Sequence, residues 1–207
     1  MVAKSISHAG IHKMKPNSFD YLKVLSSEEA LTALAQGGDE ARIIAGGLSL
    51  VPILNFRLAE PQMLIDISGA NTLNYIRETG GKVEIGASTR QCQLENWSDL
   101  ESRLPLLKAA FPFIGHYQTR AKGTVCGSLA HADPSSELPL CLATLGGEIV
   151  LQSAKGKRTL SADDFQTGML TTAKRPDEMV VSARYPIKRE GEGYAFTEMA
   201  ERRGDFA

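Results

Sequence analysis

Residues 42–50 read RIIAGGLSL, a branched apolar run that stops at two consecutive glycines. The run predicts a strand over residues 41–45, and the helical spacing of residues 48–58 predicts a helix that Pro52 shortens. Residues 63–67 (MLIDI) predict another apolar strand. This succession of strand, helix and strand is typical of a small α/β unit with parallel strands.

The segment before this stretch extends the same unit. A short strand is expected at residues 19–21, followed by a helix over SSEEALTALAQGG, residues 26–38. Ser26 or Ser27 would cap this helix, and two glutamates occupy the first turn, where the helix dipole favours anions. A pair of glycines closes the helix.

The glycine pair at Gly46 and Gly47 has two interpretations. Glycine permits positive φ and a close approach of the backbone to a ligand, and consecutive amides at such a turn can bind an anion. Ser49 would add a hydroxyl donor. The GxGxxG dinucleotide fingerprint is missing, because the third glycine and its spacing are absent. Taken alone, the turn is either a plain tight turn or a phosphate cradle.

Bulk composition narrows the class of protein. The 207 residues are 43% hydrophobic and carry a net charge of -1, which is ordinary globular composition for one or two domains. No basic stripe indicates a nucleic-acid partner, and no apolar run is long enough for a membrane span. Three widely spaced cysteines form neither a CxxC pair nor a disulfide framework, so we expect reduced thiols and a cytoplasmic location. No histidine or cysteine cluster indicates a metal site.

The second part of the chain has a different pattern of predicted secondary structure. Two hairpins, two helices and a late strand indicate an α+β unit with a mostly antiparallel sheet. The hairpins are expected at 73–76 with 82–87 and at 148–152 with 158–160, the helices at 89–100 and 105–113, the strand at 179–185, and the start of another strand within 193–207.

Residues 123–139 read GTVCGSLAHADPSSELP and are rich in glycines and hydroxyls. We expect a long structured loop, and such loops often carry function. His131 is either a hydrogen-bonded structural imidazole or a catalyst, and Asp133 either opens a turn before proline or has a catalytic role. Cys126 is either a small packing residue or a reactive thiol. The residues His116, Tyr117 and Arg120 either line a site or solvate a helix end.

Residues 45–61 (AGGLSLVPILNFRLAEP) and 123–139 together resemble the FAD-binding medium subunit of the molybdenum hydroxylases, the family of xanthine dehydrogenase and carbon monoxide dehydrogenase. The resemblance runs from Lys15 to Phe206. It implies an α+β fold, a two-lobed FAD-binding domain of the p-cresol methylhydroxylase (vanillyl-alcohol oxidase) type. FAD would lie between a small α/β lobe and a larger α+β lobe, and the family's C-terminal third domain would be missing. The implied divisions are a flexible extension at 1–14, the small lobe at 15–68, the larger lobe at 69–190 and the start of a truncated C-terminal domain at 191–207.

The resemblance also assigns a cofactor site. The turn at residues 45–49 would carry the FAD diphosphate, and the turn at 124–128 would add pyrophosphate and ribityl contacts. Glu137 would bind the adenosine part and Val180 would lie near the isoalloxazine ring. The chain departs from the family where Cys126 replaces a usual glycine. The expected cofactor-binding residues are Ala45, Gly46, Gly47, Leu48, Ser49, Thr124, Cys126, Gly127, Ser128, His131, Glu137 and Val180.

By the same resemblance the chain is the FAD-containing electron-transfer subunit of a molybdenum-containing oxidoreductase. Electrons would start at a large molybdopterin-binding subunit and reach the [2Fe–2S] clusters of a small partner subunit. This chain would take them from those clusters and pass them to an external acceptor. No catalytic side chain is expected, because the redox chemistry belongs to the flavin. A self-contained flavin-dependent oxidoreductase and a non-catalytic assembly fragment remain as alternatives. The substrate, the final acceptor and the stoichiometry are left open.

Overall fold

The structure is a computed structural model that describes residues 15–202 and 204–207. The expected N-terminal extension at 1–14 and Arg203 lie outside the described residues. The strands are β1 (Asp20–Lys23), β2 (Ala41–Ile44), β3 (Met63–Asp66), β4 (Ile76–Thr79), β5 (Lys82–Gly86), β6 (Glu148–Ser153), β7 (Gly156–Ser161), β8 (Gln166–Gly168), β9 (Thr171–Thr172) and β10 (Met179–Pro186). The helices are α1 (Ser27–Gly37), α2 (Leu50–Asn55), α3 (Gln91–Glu95), α4 (Leu100–Arg103), α5 (Pro105–Ala110), α6 (Tyr117–Lys122), α7 (Val125–His131), α8 (Glu137–Thr144) and α9 (Ala162–Phe165).

The small lobe is a three-stranded parallel sheet in the order β1-β3-β2, which confirms the predicted α/β unit. The central strand β3 buries Leu64 and Ile65. Strand β2 pairs on one side only, so its other side is a free edge of the sheet. The glycine turn follows directly from this edge strand.

Helix α1 forms as the sequence predicts. The Ser26 hydroxyl accepts a hydrogen bond from the amide of Glu29, and the chain leaves the helix at Gly38 with φ of 52°. Its apolar face, which includes Leu31 and Leu34, is buried against the sheets. Helix α2 is short, because Pro52 is tolerated only in the first turn.

The larger lobe contains a five-stranded antiparallel sheet in the order β4-β5-β10-β6-β7, as expected. The two predicted hairpins form its two sides, and the late strand β10 lies between them. Ala183 of β10 pairs with Ile85 on one side and Ile149 on the other, and all three side chains are fully buried. The buried side chains of both lobes form one continuous hydrophobic cluster.

The expectation of a long loop over residues 123–139 is wrong, because most of this segment is helical in α7 and the start of α8. The Thr124 hydroxyl accepts a hydrogen bond from the Gly127 amide at 3.0 Å and so caps α7. The helix buries Val125 and Leu129 on its inner face. The glycines and small residues of the segment concealed a helix that tertiary packing stabilises.

Other expectations also need correction. The helix predicted over 89–100 is shorter: α3 ends at its C-cap, Asn96, whose side chain donates to the carbonyl of Cys92 at 2.7 Å, and α4 begins only at Leu100. No strand begins in the described part of residues 193–207. That segment instead crosses the larger lobe, where the ring of Phe196 lies 5.2 Å from that of Phe113.

Candidate functional site

A cavity of about 660 Å³ lies between the two lobes. Its walls come from β2 and the following turn on one side, and from α7, the start of α8 and β10 on the other. Every residue assigned to the cofactor in the sequence analysis lines this cavity: Ala45, Gly46, Gly47, Leu48, Ser49, Thr124, Cys126, Gly127, Ser128, His131, Glu137 and Val180. Two segments far apart in sequence therefore share one hollow.

The two glycine-containing turns are in direct backbone contact. A Cβ atom built on Gly46 would lie 2.4 Å from the carbonyl oxygen of Lys122 and 2.8 Å from the Cα atom of Gly123. Real side chains do not approach a backbone this closely, so only glycine fits. The missing side chain at this position is what allows the two lobes to meet.

Gly47 has a different requirement. Its φ is 75°, a conformation that residues with a Cβ rarely adopt. None of the amides of residues 46–49 donates a hydrogen bond to another backbone group of the described residues. Residues 46–49 line the cavity, so their N–H groups are available to an anionic oxygen bound there.

The opposite turn is shaped by the Thr124 cap. A Cβ atom on Gly127 would lie 2.6 Å from the Thr124 hydroxyl oxygen, so a larger residue there would make the capping hydroxyl shift. The segment at residues 89–91 fixes the turn from below, since the Gln91 amide donates to the Gly123 carbonyl at 2.9 Å. The amide of Val125 donates to the Thr89 carbonyl at 3.1 Å.

Gln91 has an incomplete hydrogen-bonding environment at the cavity wall. It is 6% exposed and lines the cavity. Its buried Oε1 atom has no hydrogen-bond partner among the described residues. Buried polar groups in folded proteins are almost always paired, so this atom indicates a missing donor.

The charged residues of the cavity lie in different surroundings. Burial lowers the pKa of the Lys174 ammonium group, and repulsion from Arg42 lowers it further. The ammonium group donates to the main-chain carbonyls of Arg175 and Glu178 at 3.0 and 3.3 Å. The Glu178 carboxylate is paired with Arg158, whose guanidinium donates to its two oxygens at 2.6 and 2.7 Å. These hydrogen bonds lower the pKa of the carboxyl group.

Glu137 has the opposite shift. Burial raises the pKa of its carboxyl group, and the negative charges of Glu198 and Asp133 raise it further. A carboxylate here is therefore costly until a ligand donates to it.

Two of the residues left open in the sequence have structural explanations. The Cys126 side chain is buried, its Sγ lies 3.5 Å from the Ile85 carbonyl oxygen, and burial raises its pKa to about 12. It packs in the core while touching the cavity, and is not a reactive thiol. Asp133 opens a turn, since its Oδ1 accepts from the Ser135 amide at 2.9 Å. His131 lines the cavity, and its Nε2 atom lies 3.9 Å from Oδ2 of Asp133.

The three residues of 116–120 whose roles the sequence left open have different surroundings. Arg120 is structural, because it binds the Glu95 carboxylate at 2.8 and 3.0 Å and the Ile114 carbonyl at 2.9 Å. Tyr117 is exposed to solvent. His116 lines the cavity and packs closely on Gly204, which brings residues 204–206 to the same wall.

Sequence reasoning missed several lining residues. Their side chains reach the cavity through tertiary contacts and carry no local motif. A glutamine at the start of a short helix, for example, has no pattern that marks it. The polar or charged members of this set are Arg42, Gln91, Thr119, Ser136, Lys174, Glu178 and Asp205.

The residues present fit a diphosphate nucleotide. The amides of residues 46–49, which have no backbone acceptor among the described residues, lie at one cavity with Gly46, where a Cβ would collide with backbone. The Oε1 atom of Gln91, which no described residue pairs, belongs to a residue of the same cavity. A two-lobed fold with a parallel α/β lobe, an antiparallel lobe and this cleft is that of a FAD-binding domain.

Comparison with known proteins agrees. The family described as "FAD binding domain in molybdopterin dehydrogenase" matches residues 17–188. The chain therefore belongs to this family of oxidoreductase domains, and its cofactor is FAD.

Individual relatives extend over nearly the whole chain. It is 42% identical over 194 residues to the 6-hydroxypseudooxynicotine dehydrogenase complex subunit alpha of Paenarthrobacter nicotinovorans, covering 94% of this chain and 66% of that protein. It is 37% identical, over 94% of its length and 66% of the relative's, to the caffeine dehydrogenase subunit beta of Pseudomonas sp. strain CBB1. The solved carbon monoxide dehydrogenase from Hydrogenophaga pseudoflava superposes with a TM-score of 0.89 at 37% identity, covering 93% of this chain and 67% of that one. The chain thus spans about two thirds of the length of these relatives.

Neither a metal site nor a membrane-crossing helix occurs in the part of the chain that the structure describes. No group of three or more histidine, cysteine, aspartate or glutamate side chains there is arranged to hold a metal ion. Among the helices from α1 to α9, none has the length and apolar character that crossing a bilayer requires.

Proposed function

We propose that the cavity between the lobes binds FAD with the diphosphate on the glycine turn at residues 45–49. The observation that carries this proposal is the backbone contact between Gly46 and the Lys122–Gly123 peptide, which joins the two glycine-containing segments at the edge of one cavity. Thr124, Cys126, Gly127, Ser128 and His131 would contact the ribityl and phosphate segments from the opposite side. Glu137 would accept a hydrogen bond from the adenosine part, and Val180 would approach the isoalloxazine ring.

We further propose that the domain is an electron-transfer unit of a molybdenum-containing oxidoreductase. Bound FAD supplies the redox chemistry, and the chain's residues bind it, orient it and exclude water. Electrons would arrive from [2Fe–2S] clusters of a small partner subunit, with a large molybdopterin-binding subunit upstream. They would leave to an external acceptor such as NAD⁺, a quinone or oxygen. The relatives that are subunits or chains of dehydrogenases support this assignment.

The two lobes define the working units of this proposal. We place the small lobe at 15–68 and the larger lobe at 69–190, because the parallel and antiparallel sheets separate there. Both lobes contribute to the cavity, so neither lobe alone would bind the cofactor.

A titration of the purified chain with FAD tests the proposal. Bound flavin should give absorption bands near about 370 and about 450 nm and quenched flavin fluorescence. Protein that takes up no added FAD would contradict the proposed site. Flavin-loaded protein that a small substrate reduces without partner subunits would contradict the electron-transfer role and indicate a self-contained oxidoreductase.

A further inference from the structure

Gln91 carries an unsatisfied hydrogen-bonding group at the centre of the molecule. Its side chain is more than nine-tenths buried and lines the cavity, yet its Oε1 atom is unpaired among the described residues. The desolvation of a buried acceptor without a donor is unfavourable, and native structures keep few such groups. The residue needs a hydrogen-bond donor that the described residues do not supply.

The position of the carboxamide indicates where that donor belongs. A Cβ atom built on Gly123 would lie 3.3 Å from both Cδ and Nε2 of Gln91, so the carboxamide lies against the turn that meets Gly46. The Gln91 amide also donates to the Gly123 carbonyl, which holds the residue in place. The side chain is therefore fixed beside both glycine-containing turns.

The chemistry of the cofactor restricts the donor. Diphosphate oxygens carry no hydrogen at neutral pH and cannot donate to Oε1. The groups joined directly to the diphosphate of FAD are two sugar units, the ribityl chain and the ribose, and both carry hydroxyls. Oε1 itself is enclosed in the structure. The terminal torsion of glutamine is broad, so rotation of the carboxamide on FAD binding would present Oε1 to the cavity.

We propose that Gln91 is a cofactor-positioning residue whose carboxamide oxygen accepts a hydrogen bond from a sugar hydroxyl of FAD next to the diphosphate. The inference rests on the proposed function, because it places the diphosphate on the turn at 45–49. The inference adds to the site a residue of α3, which lies outside both glycine-containing segments.

The test replaces Gln91 with methionine, which has a similar size and no acceptor. We expect the dissociation constant of FAD to rise about tenfold. The melting temperature of the FAD-free protein should stay the same or rise, because an unpaired buried polar atom is removed. The opposite directions of the two effects separate cofactor binding from general damage to the fold.

Gln93 on the same helix provides the matched control. Its Oε1 accepts from the Arg90 amide at 2.8 Å, and its side chain is exposed outside the cavity. Gln93→Met should lower the melting temperature slightly and leave FAD affinity unchanged. If Gln91→Met fails to fold, Gln91→Leu provides the same comparison.

Binding of ADP distinguishes the two sugars. A loss of affinity for both FAD and ADP in Gln91→Met assigns the ribose hydroxyl, and a loss for FAD alone assigns the ribityl chain. Unchanged affinity for both ligands overturns the inference. A parent protein that binds no FAD contradicts the proposed function itself, which keeps the two failures apart.

Discussion

Gly46 and Gly123 touch through their backbones, with the site of a Gly46 side chain only 2.8 Å from the Gly123 Cα atom. Gly46 follows an edge strand of the small lobe, and Gly123 precedes α7 of the larger lobe. The contact links the two lobes at the cavity wall, so the shape of the cavity depends on two positions without side chains.

Replacing Gly46 with alanine should destabilise the protein by about 1–3 kcal/mol, because the new methyl group meets the Lys122 carbonyl. Urea unfolding of the FAD-free protein measures the change. Gly193 serves as control, since a Cβ atom there meets nothing within 4 Å. Equal stability of Gly46→Ala and Gly193→Ala would show that the lobes do not need this contact.

Gly47→Val should weaken FAD binding by about tenfold or more, roughly 1.4 kcal/mol, because a β-branched residue resists the φ of 75° and displaces the amides of the turn. Gly81 is a matched control: it has the same φ of 75°, and a Cβ there meets nothing within 4 Å. Gly81→Val should lose stability through the same strain but keep FAD affinity. Tight binding by Gly47→Val would mean that the diphosphate lies elsewhere.

Thr124 and Gly127 should be energetically coupled. Thr124→Ala removes the cap of α7 and should cost about 1 kcal/mol. Gly127→Ala should cost more in the parent than in the Thr124→Ala background, because its methyl group collides with the Thr124 hydroxyl. A double-mutant cycle by chemical unfolding measures the difference, and strictly additive effects would argue against the contact.

Glu137→Gln should separate stability from affinity. The folded protein raises the pKa of Glu137, so the folded state binds a proton more tightly than the unfolded chain. Glu137 therefore reduces stability as pH rises through and beyond its ordinary pKa. Thermal unfolding of the FAD-free variant should show a gain over the parent at neutral pH that disappears in acid below that pKa.

The same variant should bind FAD more weakly if Glu137 accepts a hydrogen bond from the adenosine part. Glu192 offers a control, because it is exposed and the hydrogen bond from Tyr194 lowers its pKa. Glu192→Gln should leave FAD affinity unchanged and give no stability gain at neutral pH. A Glu137→Gln variant whose stability gain does not vary with pH would contradict the assigned shift.

Cys126 should resist alkylation in the native protein. Burial raises the pKa of both Cys126 and Cys141 to about 12, and only Cys92 is partly exposed. The native protein is treated briefly with an alkylating reagent at pH 8, and mass spectrometry should find the label on Cys92. After denaturation the same reagent should label all three cysteines. Native labelling of Cys126 would reopen the reactive-thiol interpretation.

Much of the fold follows from local pattern. The apolar strands of the small lobe, the capped helix at Ser26 and both hairpins have strong signals in period, cap and turn residues. The helix α7 does not, because its first residues, Val125 to Ser128, have poor helical propensity and its stability comes from the Thr124 cap and the buried face. The end of α3 lies at Asn96, which no periodicity marks.

The site was predictable where it lies on a motif and hidden where tertiary contacts build it. The two glycine-containing segments could be recognised together, and the structure brings them into one cavity. Gln91 and Lys174 come from segments with no local signature, and only the folded arrangement places them there. The sequence also carries no signal for the unpaired carboxamide of Gln91, since its burial is a property of the whole molecule.

The free edge of β2 has a consequence for handling the protein. Unpaired strand edges invite other chains to add on and aggregate, and residues 41–45 border the cavity. A flavin seated in the cavity would shield that edge from a second copy. The supply of riboflavin during expression would then set the yield of monodisperse protein. A yellow preparation, in which the flavin is bound, would contain less aggregate than a colourless one.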